Sequence, residues 1–169
     1  MTRLPVTVLV TAQLIVGACT PTPEAPPGLD QQTAALAQAV TEPTLLTYHP
    51  DLDVRITEMI HRSTGVLYRD VKLGTGDSLK VGTTAVVRYS GWLPDGTAFD
   101  SNRDSDPFSF RVGAGEVIGG WDDGLLGMRV GGTRQLVIPY QMGYGEVGSG
   151  NIPPYATLVF EVELLEARR

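Results

Sequence analysis

The chain has 169 residues, 42% of them hydrophobic and 19% charged, the composition of a globular protein rather than a disordered or wholly membrane-embedded one. Thirteen Lys and Arg against 19 Asp and Glu leave a formal charge of −6. No basic block is present to follow a phosphate backbone, so nucleic acid is excluded as an expected partner. The single cysteine excludes an internal disulfide framework and a cysteine-based zinc site, and His49 and His61 have no further ligand at metal spacing; neither a metal nor another cofactor is expected.

At the start of the chain, Arg3 precedes an apolar run from Leu4 to Val16. The run is too short to span about 30 Å of hydrocarbon as a helix. It has the form of a secretory signal, ending in the small residues Gly17 and Ala18, so residues 1–18 are expected to be a signal peptide. The sequence Val16-Gly17-Ala18-Cys19 resembles the lipobox of bacterial lipoproteins, which implies cleavage before Cys19 and lipidation of its thiol. Residues 19–28 then carry Pro21, Pro23, Pro26 and Pro27. Proline favours extended polyproline II, about 3.1 Å per residue, so this stretch reads as a tether. Thr20 stands where an aspartate would retain a proteobacterial lipoprotein at the inner membrane. The resemblance implies an exported protein, lipid-anchored to the cell envelope at the outer membrane and facing the periplasm.

Residues 29–62 form an N-terminal extension. The Ala-rich stretch Gln31–Val40 predicts one short helix. Leu45, Leu46, Leu52, Val54, Ile56, Met59 and Ile60 are expected to pack on the following domain as a strap. From about Ser63 to the end, residues 63–169, the pattern is β. Strands are predicted at Val66–Lys72, at Thr84–Leu93 with an Asp95-Gly96 turn after it, at Phe108–Val112, around Leu136 and Ile138, and at Thr157–Glu166. In the last of these Leu158, Phe160, Val162 and Leu164 share one face, with Val159, Glu161 and Glu163 on the other. Such alternation predicts a sheet with one dry and one wet face. A helix is predicted over Trp121–Arg129, where Trp121, Leu125 and Met128 recur at helical spacing and Asp122 and Asp123 suit the dipole at its start. The expected fold class is α+β: an antiparallel sheet curled into a half-barrel over one short α-helix.

Four motifs stand in order along this region: Phe99-Asp100-Ser101; Gly115-Glu116-Val117-Ile118-Gly119-Gly120-Trp121; Tyr144-Gly145; and Ile152-Pro153-Pro154 with Ala156-Thr157-Leu158-Val159-Phe160. Their order and spacing resemble the FK506-binding-protein (FKBP) domain, a family of peptidyl-prolyl cis-trans isomerases (rotamases). The resemblance runs from about Gly65 to Glu166. It implies catalytic roles for Tyr89, Phe99, Asp100, Trp121, Tyr144 and Phe160, and substrate-binding roles for Phe108, Val117, Ile118 and Ile152. In that family the indole matching Trp121 floors the site under the proline ring. The groups matching the Tyr144 hydroxyl and the Ile118 N–H donate to substrate carbonyls, and the carboxylate matching Asp100 accepts from ligands.

The implied partners are proline-containing polypeptide clients and, as inhibitors, macrolides of the FK506 and rapamycin kind. The implied function is rotation of X–Pro bonds in proteins of the cell envelope. A chaperone or binding module that retains the fold with little catalysis is the alternative. The chain departs from the family at the rim of the site: only Ser105 and Asp106 separate Asp104 from Pro107, Asn151 precedes Ile152, and Gly143 replaces the usual alanine. Gly113, Gly115, Gly119 and Gly120 crowd the approach to Trp121, as expected where the chain needs a positive φ or backbone must come close to another group.

Overall fold

The computed structural model describes residues 41–169. The expected signal peptide, Cys19, the proline-rich tether and the Gln31–Val40 helix lie outside the described residues. Among those described, the strands are β1 (Ile60–His61), β2 (Leu67–Lys72), β3 (Thr84–Trp92), β4 (Ala98–Ser101), β5 (Phe108–Arg111), β6 (Thr133–Ile138) and β7 (Leu158–Arg168). All pairings are antiparallel. Their spatial order is β1-β2-β6-β7-β3-β4, with β5 also on β3.

The middle of the sheet is the long β3–β7 ladder, from Thr84 opposite Arg168 to Trp92 opposite Val159. β3 is rich in β-branched and aromatic residues, which suit a pleated, well-buried surface. Its far edge is shared. β4 pairs with Ser90–Trp92 and β5 with Thr84–Val87, leaving Arg88 and Tyr89 opposite the connection between those two strands. The Asp95-Gly96 turn closes the β3–β4 hairpin as the sequence predicts, with Gly96 at φ +89° and the Thr97 N–H donating to Asp95 Oδ1 at 2.9 Å.

The helix α1 covers Gly119–Gly124, beginning earlier and ending sooner than the predicted Trp121–Arg129. Gly127 at φ +80° turns the chain out of the helix. Leu125 and Met128 still reach the core, through a turn in which the Met128 N–H donates to Leu125 O at 3.0 Å. α1 lies close on the sheet because Gly120 carries no Cβ; one placed there would stand 2.3 Å from Ile138 Cγ2.

The concave face holds the main core. Leu158, Phe160, Val162 and Leu164 of β7 pack there with Trp121, Leu125, Met128, Leu136 and Ile138. The other face is not wet throughout, as alternation alone predicts. Val159 is buried, together with Val137, Leu67, Leu52 and Met59. The strap predicted from the sequence covers that end of the convex face through Leu52 and Met59, with Val54 and Ile56 half-buried beside them. Leu45 and Ile60 do not join it and remain 66% and 55% exposed. Each fully buried aliphatic side chain stabilises by about 1.5–3 kcal/mol, so the strap is a substantial part of the fold.

Polar groups register it. Gln135 Nε2 donates to Leu52 O at 2.6 Å, Arg69 Nη2 to Asp53 O at 2.8 Å, and the His49 N–H to Pro94 O at 2.7 Å. Elsewhere, buried Arg134 donates bidentately to Asp70 at 2.7 and 3.1 Å and caps the carbonyls of Gly124 and Leu126 at 2.9 and 3.1 Å. It thereby joins β2, β6 and the end of α1. Its guanidinium also stacks 4.2 Å from the Tyr68 ring centre.

Candidate active site

A hollow of about 420 Å³ opens between α1, β3, β4 and the loops at either side. Trp121 stands at its base, 4% exposed. β3 contributes Tyr89, β4 Asp100, β5 Phe108 and β7 Phe160, while Val117 and Ile118 enter from the segment leading into α1 and Tyr144 from the loop after β6. Strand pairing therefore assembles side chains up to 71 positions apart, from Tyr89 to Phe160.

The walls are rings meeting edge to face, the arrangement their quadrupoles favour. Tyr89 lies 4.9 Å and Phe160 5.3 Å from Trp121, both near-perpendicular at 85°. Phe108 closes a further side at 6.3 Å. Of the residues expected at the site, eight line the hollow: Tyr89, Asp100, Phe108, Val117, Ile118, Trp121, Tyr144 and Phe160.

Phe99 and Ile152 do not. Phe99 stands behind Phe160, ring centres 5.4 Å apart, in space left by Gly91; a Cβ on Gly91 would meet Phe99 Cζ at 2.7 Å and Phe160 Cε1 at 2.8 Å. Ile152 is buried in the core, its backbone bridged to Ser149. Phe99 thus supports the Phe160 wall from behind.

Polar groups in the hollow are few and oriented. The Tyr89 hydroxyl donates to Asp100 Oδ2 at 2.6 Å. Burial, reinforced by this bond and by the Asp100 charge, pushes the Tyr89 phenol above its usual range. Burial first and Asp100 second push Tyr144 in the same direction. Both phenols are thus held as neutral donors. No described group accepts the Ile118 N–H, and its carbonyl instead receives the Trp121 N–H at 2.9 Å. The Trp121 Nε1–H is buried without a partner among the described residues.

Gly115 and Glu116 also line the hollow. The sequence singles out Gly115 only as a glycine on the approach to Trp121 and assigns Glu116 no role, although the two open the motif ending in Trp121. Their loop is pinned from α1: Asp122 Oδ1 accepts from the Gly113 N–H at 2.7 Å and Oδ2 from the Gly115 N–H at 3.1 Å. Glu116 Oε2 accepts from the Arg111 N–H at 2.8 Å. Asp122 therefore does more than suit the helix dipole: it sets one wall of the site. On the opposite side, the Tyr144–Tyr155 turn is closed by Gly148 N–H to Tyr144 O at 3.2 Å and Tyr155 N–H to Gly145 O at 3.0 Å. Among the described residues no cluster of three or more His, Cys, Asp or Glu is placed to hold a metal ion.

Among the described residues, α1 lies across a curved antiparallel sheet with an aromatic hollow between them, and known proteins share this arrangement. Residues 76–165 match the family of FKBP-type peptidyl-prolyl cis-trans isomerases, and the chain belongs to that family. An FK506-binding protein of Neisseria meningitidis serogroup B is 49% identical over 104 residues, covering 60% of this chain and 95% of that protein. FK506-binding protein 4 of Neurospora crassa is 50% identical over 104 residues, which is 62% of this chain but 22% of the fungal protein's length. Among solved structures, a peptidyl-prolyl cis-trans isomerase from Pseudomonas syringae matches with a TM-score of 0.65 at 32% identity, over 82% of this chain and 96% of that one. FkpA from Escherichia coli matches with a TM-score of 0.63 at 36% identity, over 82% of this chain and 60% of that one.

Proposed function

We propose that this chain rotates X–Pro peptide bonds in exported polypeptides, held at the cell envelope by lipid on Cys19. The observation that carries the catalytic part is the hollow itself: about 420 Å³ of ring-walled space over a buried indole, with neutral donors at its edge.

The chemistry breaks no covalent link. The barrier, roughly 18–20 kcal/mol, is amide resonance, and uncatalysed X–Pro exchange takes tens to hundreds of seconds. At the twisted transition state resonance is lost; the carbonyl becomes less dipolar and the nitrogen pyramidal. A planar amide is the more strongly hydrated of the two, so transfer into an aromatic hollow penalises it more than the twisted form. This is differential binding of the transition state. Removing about 6 kcal/mol brings turnover to the order of hundreds per second.

Each residue has a part. Trp121 receives the pyrrolidine ring, with Tyr89, Phe108 and Phe160 excluding water around it. The Ile118 N–H and the Tyr144 hydroxyl, neither accepted by a described group, hold carbonyls of the substrate backbone and so fix the chain on either side of the rotating bond. Asp100, through Tyr89, keeps the polar edge of the hollow ordered. The same features would admit a macrolide of the FK506 kind. The names of the relatives and the intact ring set support this reading.

A protease-free assay on a short X–Pro peptide tests it. The expected result is acceleration at micromolar protein, suppressed by an FK506-like macrolide. No acceleration would leave a binding module in place of an enzyme. The envelope assignment rests on the lipobox-like sequence around Cys19 and on the tether after it. Cys19→Ser is expected to release the protein from the membrane fraction; unchanged fractionation would remove the anchor from the account.

A further inference from the structure

We infer that Asn102 is a positioning residue for the active site, setting Tyr89 and, through it, Asp100. The inference rests on the proposed isomerase reading, although its structural half can be tested without activity.

The edge of β3 has a gap in its pairing. The β3–β4 ladder ends at Ser90 opposite Ser101, and the β3–β5 ladder resumes at Val87 opposite Phe108. Six residues, 102–107, thus span the unpaired stretch opposite Arg88 and Tyr89. Unpaired backbone beside a site would let Tyr89 shift, yet one side chain fills the gap. Asn102 is 8% exposed. Its Oδ1 accepts from the Tyr89 N–H at 2.7 Å, and its own N–H donates to Tyr89 O at 3.1 Å. Its Nδ2 donates to Val87 O at 3.1 Å and to Asp106 O at 3.3 Å. One amide side chain thereby imitates the missing strand: it holds the Tyr89 N–H, while the Tyr89 carbonyl is shared between the Asn102 N–H and Ser101 Oγ, which donates at 3.0 Å.

Arg88 secures the same turn from its other side. Its Nη1 donates to the carbonyls of Asn102, Arg103 and Ser105 at 3.1, 2.7 and 2.8 Å. The short connection at Asp104–Pro107 is therefore wrapped around one guanidinium. Tyr89 carries this order into the hollow: its hydroxyl meets Asp100 at 2.6 Å and its ring meets Trp121 at 4.9 Å. A buried amide needs both its donor and its acceptor satisfied, and the Asn102 side chain offers an NH2 donor and a carbonyl acceptor side by side, each with a backbone partner here. Gln is one methylene too long for this gap.

Two variants test the inference. Asn102→Ala removes the strand mimic. Its expected result is a fall in kcat/KM on the order of 10–100-fold, the scale of a displaced site group, together with altered NMR resonances of the Tyr89 amide and ring in a protein that still unfolds cooperatively. Asn102→Asp keeps the acceptor and loses the donor while ionised. Without a donor for the carbonyls of Val87 and Asp106, it is expected to show displaced Tyr89 resonances and a lowered kcat/KM even though the acceptor for the Tyr89 N–H remains. A residue that serves only stability would lower the unfolding midpoint and leave kcat/KM of the folded protein and the Tyr89 signals unchanged; that result overturns the inference. If the parent protein shows no isomerase activity, the functional proposal fails, while the Tyr89 resonances of Asn102→Ala still decide whether Asn102 positions that residue.

Discussion

The two faces of the sheet make opposite use of neighbouring residues on one strand. Val159 points to the convex face, where Leu52 and Met59 of the strap cover it completely. Phe160, the next residue, points to the concave face, where the chain supplies rings on several sides and leaves a hollow of about 420 Å³ between them. Both surfaces are apolar. One is closed by the protein's own sequence and stabilises it; the other is left open, and burial there awaits a ligand. Function on this sheet lies where packing stops short, and the stability lost by stopping short is offset by the strap and by the tight β3–β7 ladder.

The contrast can be broken most sharply at Trp121. Trp121→Ala is expected to cost about 3–5 kcal/mol of stability, as for other large-to-small changes at buried aromatics, and to lower kcat/KM at least about a hundredfold. Denaturant unfolding and the peptide assay measure both. Leu52→Ala on the strap should cost about 2–5 kcal/mol and leave kcat/KM of the folded protein unchanged. Equal losses of activity in the two variants would erase the distinction between the faces.

Tyr144→Phe sharpens the comparison on the open side. It removes one half-exposed hydroxyl with no partner among the described residues, so stability should change by less than about 0.5 kcal/mol. Loss of the proposed hydrogen bond to substrate, about 0.5–1.5 kcal/mol net, predicts a roughly two- to thirteenfold fall in kcat/KM.

Acid should loosen the closed side before the open one. Hydrogen bonds from Arg55 and then Arg69 hold the Asp53 carboxyl below its usual range. A depressed carboxylate stabilises the folded form above its unfolded pKa, about 3.9, and that contribution is lost as pH falls through the folded value. The protection factors of the Leu52 and Asp53 amides, taken against intrinsic exchange at each pH, should therefore fall below about pH 4 while that of the Phe160 amide holds. The effect is small, because Asp53 is exposed.

The closed face is harder to read in the sequence than the open one. Phe99-Asp100, the run into Trp121, Tyr144 and Phe160 each belong to ordered motifs, and eight of the ten residues implied by the family resemblance meet around the hollow. Phe99 and Ile152 belong to the same motifs but do not line it. For Phe99 that depends on Gly91 leaving room for two rings, which no spacing reveals. Val159 reads as solvent-facing because period-two alternation reports only which side a residue points to, not what else packs there. Asn102 is invisible for a related reason: a lone asparagine after a strand looks like a turn residue until the pairing gap beside it is seen. The end of α1 is misplaced in the sequence reading because helical spacing of Leu125 and Met128 is equally served by a turn through Gly127.

The proposed catalysis depends on the hollow favouring a twisted amide over a planar one. Calorimetric titration with two matched ligands tests this directly, one a planar X–Pro peptide and the other its ketoamide analogue with the carbonyls held out of plane. Tighter binding of the out-of-plane analogue, by about a hundredfold or more, and loss of that preference in Trp121→Ala are the predicted results. Equal affinity for the two ligands would contradict the account.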